Sequence, residues 1–261
     1  MPARPRGRRR PGLPAPGSVL IERILVPGGA ALAAAAGEAA PARTYRVLRT
    51  SEVDPYDPPL TPAEMAGLAI GLVRPAGDAF EGTARRDAKI SISDAAIEDF
   101  DDLRDLIDTL PAHNKMKNHV PPISKGRNSK RVQEEHRNVR IRAFIYAASR
   151  EDDNDFHLIV GRDPDLDPVY MTMELSGLPP QSSSHHDRLK ETRNAYKDFF
   201  AGDIPGTSYD FYDPPIPIEV EGSLFFDMSH ATGSRPGPAS LRPDMPVVWE
   251  VHPISRIVFE P

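Results

Sequence analysis

The chain contains no cysteine. That excludes disulfides, thiolate zinc sites and cysteine nucleophiles, and it leaves the redox compartment open. No apolar run approaches the ~20 residues that a membrane-spanning helix requires. An excess of positive charge is missing too. The formal charge is −6 and the pI about 5.8, which argues against a generic duplex-DNA binder with an electropositive face. No phosphate-binding loop, dinucleotide fingerprint, zinc-finger spacing or Gly-x-Ser-x-Gly elbow occurs, so no cofactor is expected and no motif fixes a reaction.

What the sequence does have is length and proline. Its 261 residues can bury a sizeable core, and its 29 prolines and 18 glycines cluster where elements begin and end. Three segments differ in character. Residues 1–43 are basic and proline-rich at first, then alanine-rich, and read as a disordered extension. A cytoplasmic protein is the expectation. Export is the alternative if the mildly apolar stretch Ile24 to Ala36 serves as a signal peptide, although Glu22, Arg23 and the Pro27-Gly28-Gly29 breaker speak against it.

Residues 44–137 form a small helical and extended segment with a basic linker. Thr44 to Arg49 alternates like a strand, Thr61-Pro62 opens a short helix to about Leu72, and Lys89 to Ser93 reads as a further strand. Ile97, Phe100, Leu103, Ile107 and Leu110 recur at helical spacing, capped by Asp94 and stopped by Pro111. The acidic residues on its other face read as a solvated surface. Ala112 to Arg137 is a long polar connection rich in lysine and arginine.

Residues 138–261 carry the clearest pattern: three strands, a helix, then two strands. That order is the layout of a five-stranded OB-like β-barrel, so the fold class expected is α+β. The strands are Asn138 to Ser149, Phe156 to Val160, Val169 to Leu175, Ile216 to Asp227 and Val247 to Val251. The helix runs from Ser183 or Ser184 to Ala201, with Gly202 as its stop. Trp249, the only tryptophan, falls on the inward face of the last strand and is expected to be buried.

Strand alternation sets His157, Glu174, Glu219, Glu221, Glu250 and His252 away from the main apolar faces, alongside Arg140 and Arg142. Side chains directly opposed on paired strands lie about 5 Å apart, so several of these groups can converge. His157, Glu174, Glu250 and His252 are therefore the candidate catalytic or metal-ligating residues, since two imidazoles with carboxylates can hold zinc, manganese or iron. The plainer reading is a barrel exterior whose acids pair with Arg140 and Arg142. Glu151 to Asp155 is an acidic turn just before His157. His185-His186-Asp187 follows three serines, but adjacency does not make a triad.

OB barrels commonly bind ligands across the second and third strands and the neighbouring loops. His230, Arg235 and Arg242 in the long loop after the fourth strand, with Tyr209 and Tyr212 as stacking planes, are the candidate ligand-binding residues. Single-stranded nucleic acid or a protein would be the partner classes for such a surface.

The stretches Asp153 to Gly161, Tyr170 to Leu178, Glu221 to His230 and Trp249 to Ile254 carry an Asp-x-His-Leu strand, a Gly-x-x-Phe-Phe-Asp strand and a closing Glu-x-His-Pro strand. In these features the chain resembles an uncharacterised group of bacterial proteins. The resemblance implies a shared fold and no activity. The expected function is a non-enzymatic binding or interaction module. The alternative is a metal-dependent, nuclease-like hydrolase using the His/Glu cluster.

Overall fold

The computed structural model describes residues 12–25, 43–55 and 77–261. Among them the protein is α+β, dominated by one mixed sheet of eight strands. The strands are β1 (Val19–Leu25), β2 (Tyr45–Thr50), β3 (Ile97–Phe100), β4 (Asn138–Arg150), β5 (Phe156–Gly161), β6 (Tyr170–Leu175), β7 (Asp210–Phe226) and β8 (Trp249–Phe259). Their order is β1-β2-β7-β8-β6-β5-β4-β3, and an added β7–β4 pairing closes five of them into a ring. Four joints of that ring are antiparallel and one, β6 with β8, is parallel. The described helices are short except one: α1 (Arg86–Lys89), α2 (Leu103–Asp108), α3 (His113–Lys117), α4 (His186–Phe199) and α5 (Met228–Thr232).

The ring strands follow the alternation of their residues. All five contribute to one continuous core that includes Ile141, Ile145, Leu158, Val160, Met173, Val220, Leu224 and Val251. Helix α4 lies against β8 and adds Tyr196, Phe199 and Phe200 to this core, with Phe199 stacked on Phe259 at 3.9 Å. Trp249 is buried there too, its indole nitrogen donating to Pro111 O at 3.0 Å. A second, smaller core of Leu48, Tyr146, Ile159, Tyr170, Tyr209, Phe211, Leu241 and Met245 covers part of the opposite side.

Several expectations are corrected. The sheet has three strands beyond the five of the ring. Two of them, β1 and β2, extend it beyond β7; β2 answers the strand expected at Thr44 to Arg49, whereas β1 falls within the stretch read as a disordered extension. The helix expected from Ile97 to Leu110 is a strand, then a helix. Ile97–Phe100 pairs in parallel with Asn138 to Ile141, and the Asn138 amide donates to Ser93 O and Ala95 O to hold that junction. Asp102 then caps α2 by accepting from Arg104 N at 2.7 Å. Pairing with a neighbouring strand outweighs helical spacing when the segment is short. Lys89 closes the helical turn α1 instead of opening a strand. The strands β7 and β8 run longer than foreseen, so Phe211 and Tyr212 belong to a strand and not to a loop. The helix expected at Thr61 to Leu72 lies outside the described residues.

The long polar connection is folded against the sheet. Arg131 anchors it by donating to Ala88 O, Ser91 O and His252 O, each within 2.8 Å. Glu135 accepts a bidentate pair from Arg85 at 2.7 Å and a further bond from Phe226 N at 2.9 Å. Among the described residues, no helix is long and apolar enough to cross a membrane.

Candidate functional site

Three adjacent strands bring the polar candidates together. His157 on β5 stands directly opposite Glu174 on β6. In the parallel β6–β8 pair, Thr172 stands opposite Glu250, which sets Glu174 beside His252 two residues further on. These side chains point away from the core face that Phe156, Leu158, Met173 and Val251 supply. They are nevertheless buried: His157 and His252 are fully inaccessible, and Glu174 and Glu250 are 2% exposed. The reading of an exposed barrel exterior is therefore corrected for these four residues. The pairing expected with Arg140 and Arg142 is found on the other flank of the ring, where they meet Glu221 and Glu219 and Arg256 joins them; the arginines there are accessible, Glu219 is half-buried and Glu221 is buried.

Burial comes from elements distant in sequence. A strap at residues 78–81 crosses the end of β5 and β6 through Phe80 N to Leu178 O and Glu81 N to Asp153 O. Gly177 permits that approach, because a Cβ there would lie 2.7 Å from Phe80 Cα. Tyr209 closes another side, its ring edge-on to His157 at 6.0 Å and its hydroxyl bonded to Asp54 at 3.1 Å. Phe225 lies 5.5 Å from the His252 ring.

The acidic turn before β5 contributes more ligand atoms. Asn154 occupies a left-handed conformation with φ of 73°, a shape its short polar side chain tolerates. The turn closes through Glu151 N to Asp155 O and Asn154 N to Glu151 O. It thereby delivers Glu151, Asp153 and Asp155 to the cluster. Asp155 is held further by Gly177 N, which donates to its Oδ1 at 2.6 Å.

The contacts are short. His157 Nδ1 lies 2.8 Å from Glu151 Oε1 and 3.2 Å from Glu174 Oε1. His252 Nδ1 lies 2.8 Å from Glu174 Oε2 and 3.6 Å from Glu250 Oε2, and its Nε2 lies 3.4 Å from Asp155 Oδ2. Yet both nitrogens of each ring, with Asp155 Oδ2 and Glu174 Oε2, have no aligned hydrogen-bond partner among the described residues. Buried polar atoms are normally satisfied. Here they crowd at 2.8 to 3.6 Å from one another with poor hydrogen-bond alignment. Two such sets meet at Glu174: Glu151, His157 and Glu174, and Asp155, Glu174 and His252, the ligand atoms of each lying within 4.8 Å of one another. Ligands about 2.1 Å from a tetrahedral ion sit ~3.4 Å apart; the longer contacts are near that value, and the two at 2.8 Å are ion-pair distances.

The electrostatics agree. Burial pushes the Glu151 carboxyl up to about 8, and the Glu174 charge adds to this. Burial also drives Asp155 and Glu250 well above the usual carboxylate range, assisted by Asp153 and by Glu174 respectively. Glu174 is the exception. Burial raises it, but His252, Lys89 and His157 outweigh that and hold it well below its ordinary value. Burial lowers both imidazoles. For His157 the neighbouring Glu151 and Glu174 more than reverse the effect, whereas His252 stays low. Burial and like charge thus favour the protonated form of Glu151, Asp155 and Glu250.

A pocket of about 210 Å³ opens beside this cluster, lined among others by Asp54, Arg85, Lys89, Glu151, Asp227 and His230. Of the residues expected to bind ligand, His230 lines it, with Nε2 3.5 Å from Asp227 Oδ2 and Nδ1 2.8 Å from Ser234 O. Arg235 and Arg242 instead bond to carbonyls of their own loop, at Met245 and Gly237. Tyr209 and Tyr212 are both buried, in different cores, so neither offers an open face for stacking. Sequence reasoning sets Asp155 near His157 as a candidate acid–base pair and reads Glu151 only as the start of an acidic turn, while nothing local marks Lys89. In comparisons with family models, curated proteins and solved structures, no match to this chain is found.

Proposed function

We propose that the protein is a divalent-metal-dependent hydrolase, nuclease-like in acting on a phosphoester, with Glu151, His157 and Glu174 as the metal ligands. One observation carries this: His157 Nδ1 and carboxylate oxygens of Glu151 and Glu174 converge in a buried place at 2.8 and 3.2 Å, where one cation or one proton can be shared among them. Burying this many carboxylates around two imidazoles is costly unless positive charge or retained protons balance them together. Glu151 also lines the pocket, so an ion held there would face a space a small substrate can enter. A bound ion of this kind lowers the pKa of its water and polarises a phosphoryl oxygen. His230 with Asp227 borders the same space and is placed to exchange a proton with a leaving group.

The ring supports the reading at the level of architecture. Numbering its strands β4, β5, β6, β7 and β8 as one to five, the closed order is 1-2-3-5-4, with α4 between the third and fourth. We read this as OB-like connectivity, and it sets the cluster on the second, third and fifth strands.

A second reading is favoured by the near-complete burial of His157, Glu174 and His252. On that reading the ion is structural, and the protein is a non-enzymatic binding module for single-stranded nucleic acid or a protein partner. The experiment separates the two. Protein purified without chelator is analysed for metal, then loaded with manganese and assayed on a chromogenic phosphodiester. Bound metal with turnover, both lost in His157→Ala and Glu174→Gln, is the expected result. Metal without turnover supports the binding module. Protein that takes up no zinc or manganese overturns the centre itself.

A further inference from the structure

Resting on the reading of a metal centre, the question is how many cations it holds. Two ligand sets share Glu174, which invites a two-ion site, since paired ions in hydrolases commonly share a carboxylate about 3.5–4 Å apart. The two Glu174 oxygens divide the cluster. Oε1 faces His157, while Oε2 faces His252.

The second set is already occupied by a charge. Lys89 Nζ lies 3.3 Å from Asp153 Oδ2, 3.7 Å from Asp155 Oδ2 and 4.0 Å from Glu174 Oε2. The latter two are oxygens the second set would offer to an ion. The lysine is not free to leave. It closes the turn α1 by donating its backbone N–H to Arg85 O at 3.0 Å, and Arg131 clamps that turn through Ala88 O and Ser91 O. Its side chain is 15% exposed, at the edge of the pocket. A divalent ion and an ammonium on the same two oxygens would repel each other strongly in such a buried place.

We propose that Lys89 is the built-in second cation of the site: the centre binds a single divalent ion at Glu151, His157 and Glu174, and the lysine ammonium takes the place of the other. The set Asp155, Glu174 and His252 then serves the lysine and not a metal. Removing the ammonium should open that set to a second ion.

Manganese(II) alone is the probe, titrated into the full chain by calorimetry, with bound metal counted after gel filtration. Wild type is expected to bind one equivalent and Lys89→Ala two. A second equivalent on wild type, or only one on a folded Lys89→Ala chain, would overturn the inference while leaving the metal centre standing. No binding by wild type would sink both. Should Lys89→Ala fail to fold, His252→Ala decides the matter. It is expected to keep the single ion with little change in affinity, and loss of that ion would place the metal on the wrong side of Glu174.

Discussion

Two flanks of the same ring carry the same kind of cross-strand pair and end in opposite environments. On one flank Arg142 opposes Glu219 and Arg140 opposes Glu221 across β4 and β7, with Arg256 joining from β8. On the other flank His157 opposes Glu174 across β5 and β6. The first set stays wet, with the Arg142 side chain 74% exposed. The second is covered by the strap, Tyr209 and Phe225, and meets the pocket only at Glu151 and Lys89. In water an ion pair is replaceable and weak. In a sealed site each charge must be matched or the group changes its protonation. The chemistry of this protein therefore depends less on which residues alternate than on which strands are covered.

Breaking the covered side should give the largest effects. Arg85 and Glu135 are both buried, and Glu135→Ala strands the guanidinium, so a loss of about 3–5 kcal/mol of unfolding free energy is expected by denaturant titration. A loss below ~1 kcal/mol would mean that water reaches Arg85 and that the flanks differ less than their geometry implies. Trp249→Ala, which empties a core position and frees Pro111 O, is expected to cost about 3–5 kcal/mol. An emission maximum of the wild-type tryptophan typical of solvent, with free quenching by iodide, would contradict that burial.

The pH response sharpens the contrast. In metal-free protein Glu151, raised to about 8, with Asp155, Glu250 and His157 also raised, holds protons that the unfolded chain has released. The folded state then binds more protons, so stability falls as pH rises. Each such proton contributes a slope of about 1.4 kcal/mol per pH unit. His252 is lowered and opposes this only below its ordinary value of 6.5, which leaves roughly pH 6.5 to 8 as the window. Melting temperature measured across that range in chelator should fall, and manganese should flatten the curve by replacing the protons. A flat curve in chelator would show that the acids are not held protonated. The smallest effect belongs to the exposed ladder. Glu219→Ala should cost only about 0.2–1 kcal/mol and matter still less in high salt.

Much of the ring was legible because its strands alternate over long runs and proline or glycine marks their ends. Val139, Ile141, Ala143 and Ile145 could be set on one face from sequence alone. His157, Glu174, Glu250 and His252 could be grouped by the same rule. Their burial could not, because the covering pieces, residues 78–81, Tyr209 and Phe225, come from segments well removed from them in the chain. Lys89 was missed for a related reason. Its segment reads as extended, and only the clamp by Arg131, more than 40 residues away, sets it as a helical turn aimed at the carboxylates. Ile97 to Phe100 was misread because four residues with helical spacing can equally serve as a strand once β4 is beside them.

The cluster is also divided by the length of chain that its contacts close. Glu151, His157 and Glu174 sit on the antiparallel meander of β4, β5 and β6, whose contacts close short loops and cost little chain entropy. His252 reaches Glu174 only through the parallel pairing of β6 with β8, after α4 and the whole of β7 have intervened. Closing a longer stretch of chain costs more entropy. The half of the cluster built around His157 is therefore the cheaper to assemble, and the half built around His252 bears the cost of every residue between β6 and the last strand.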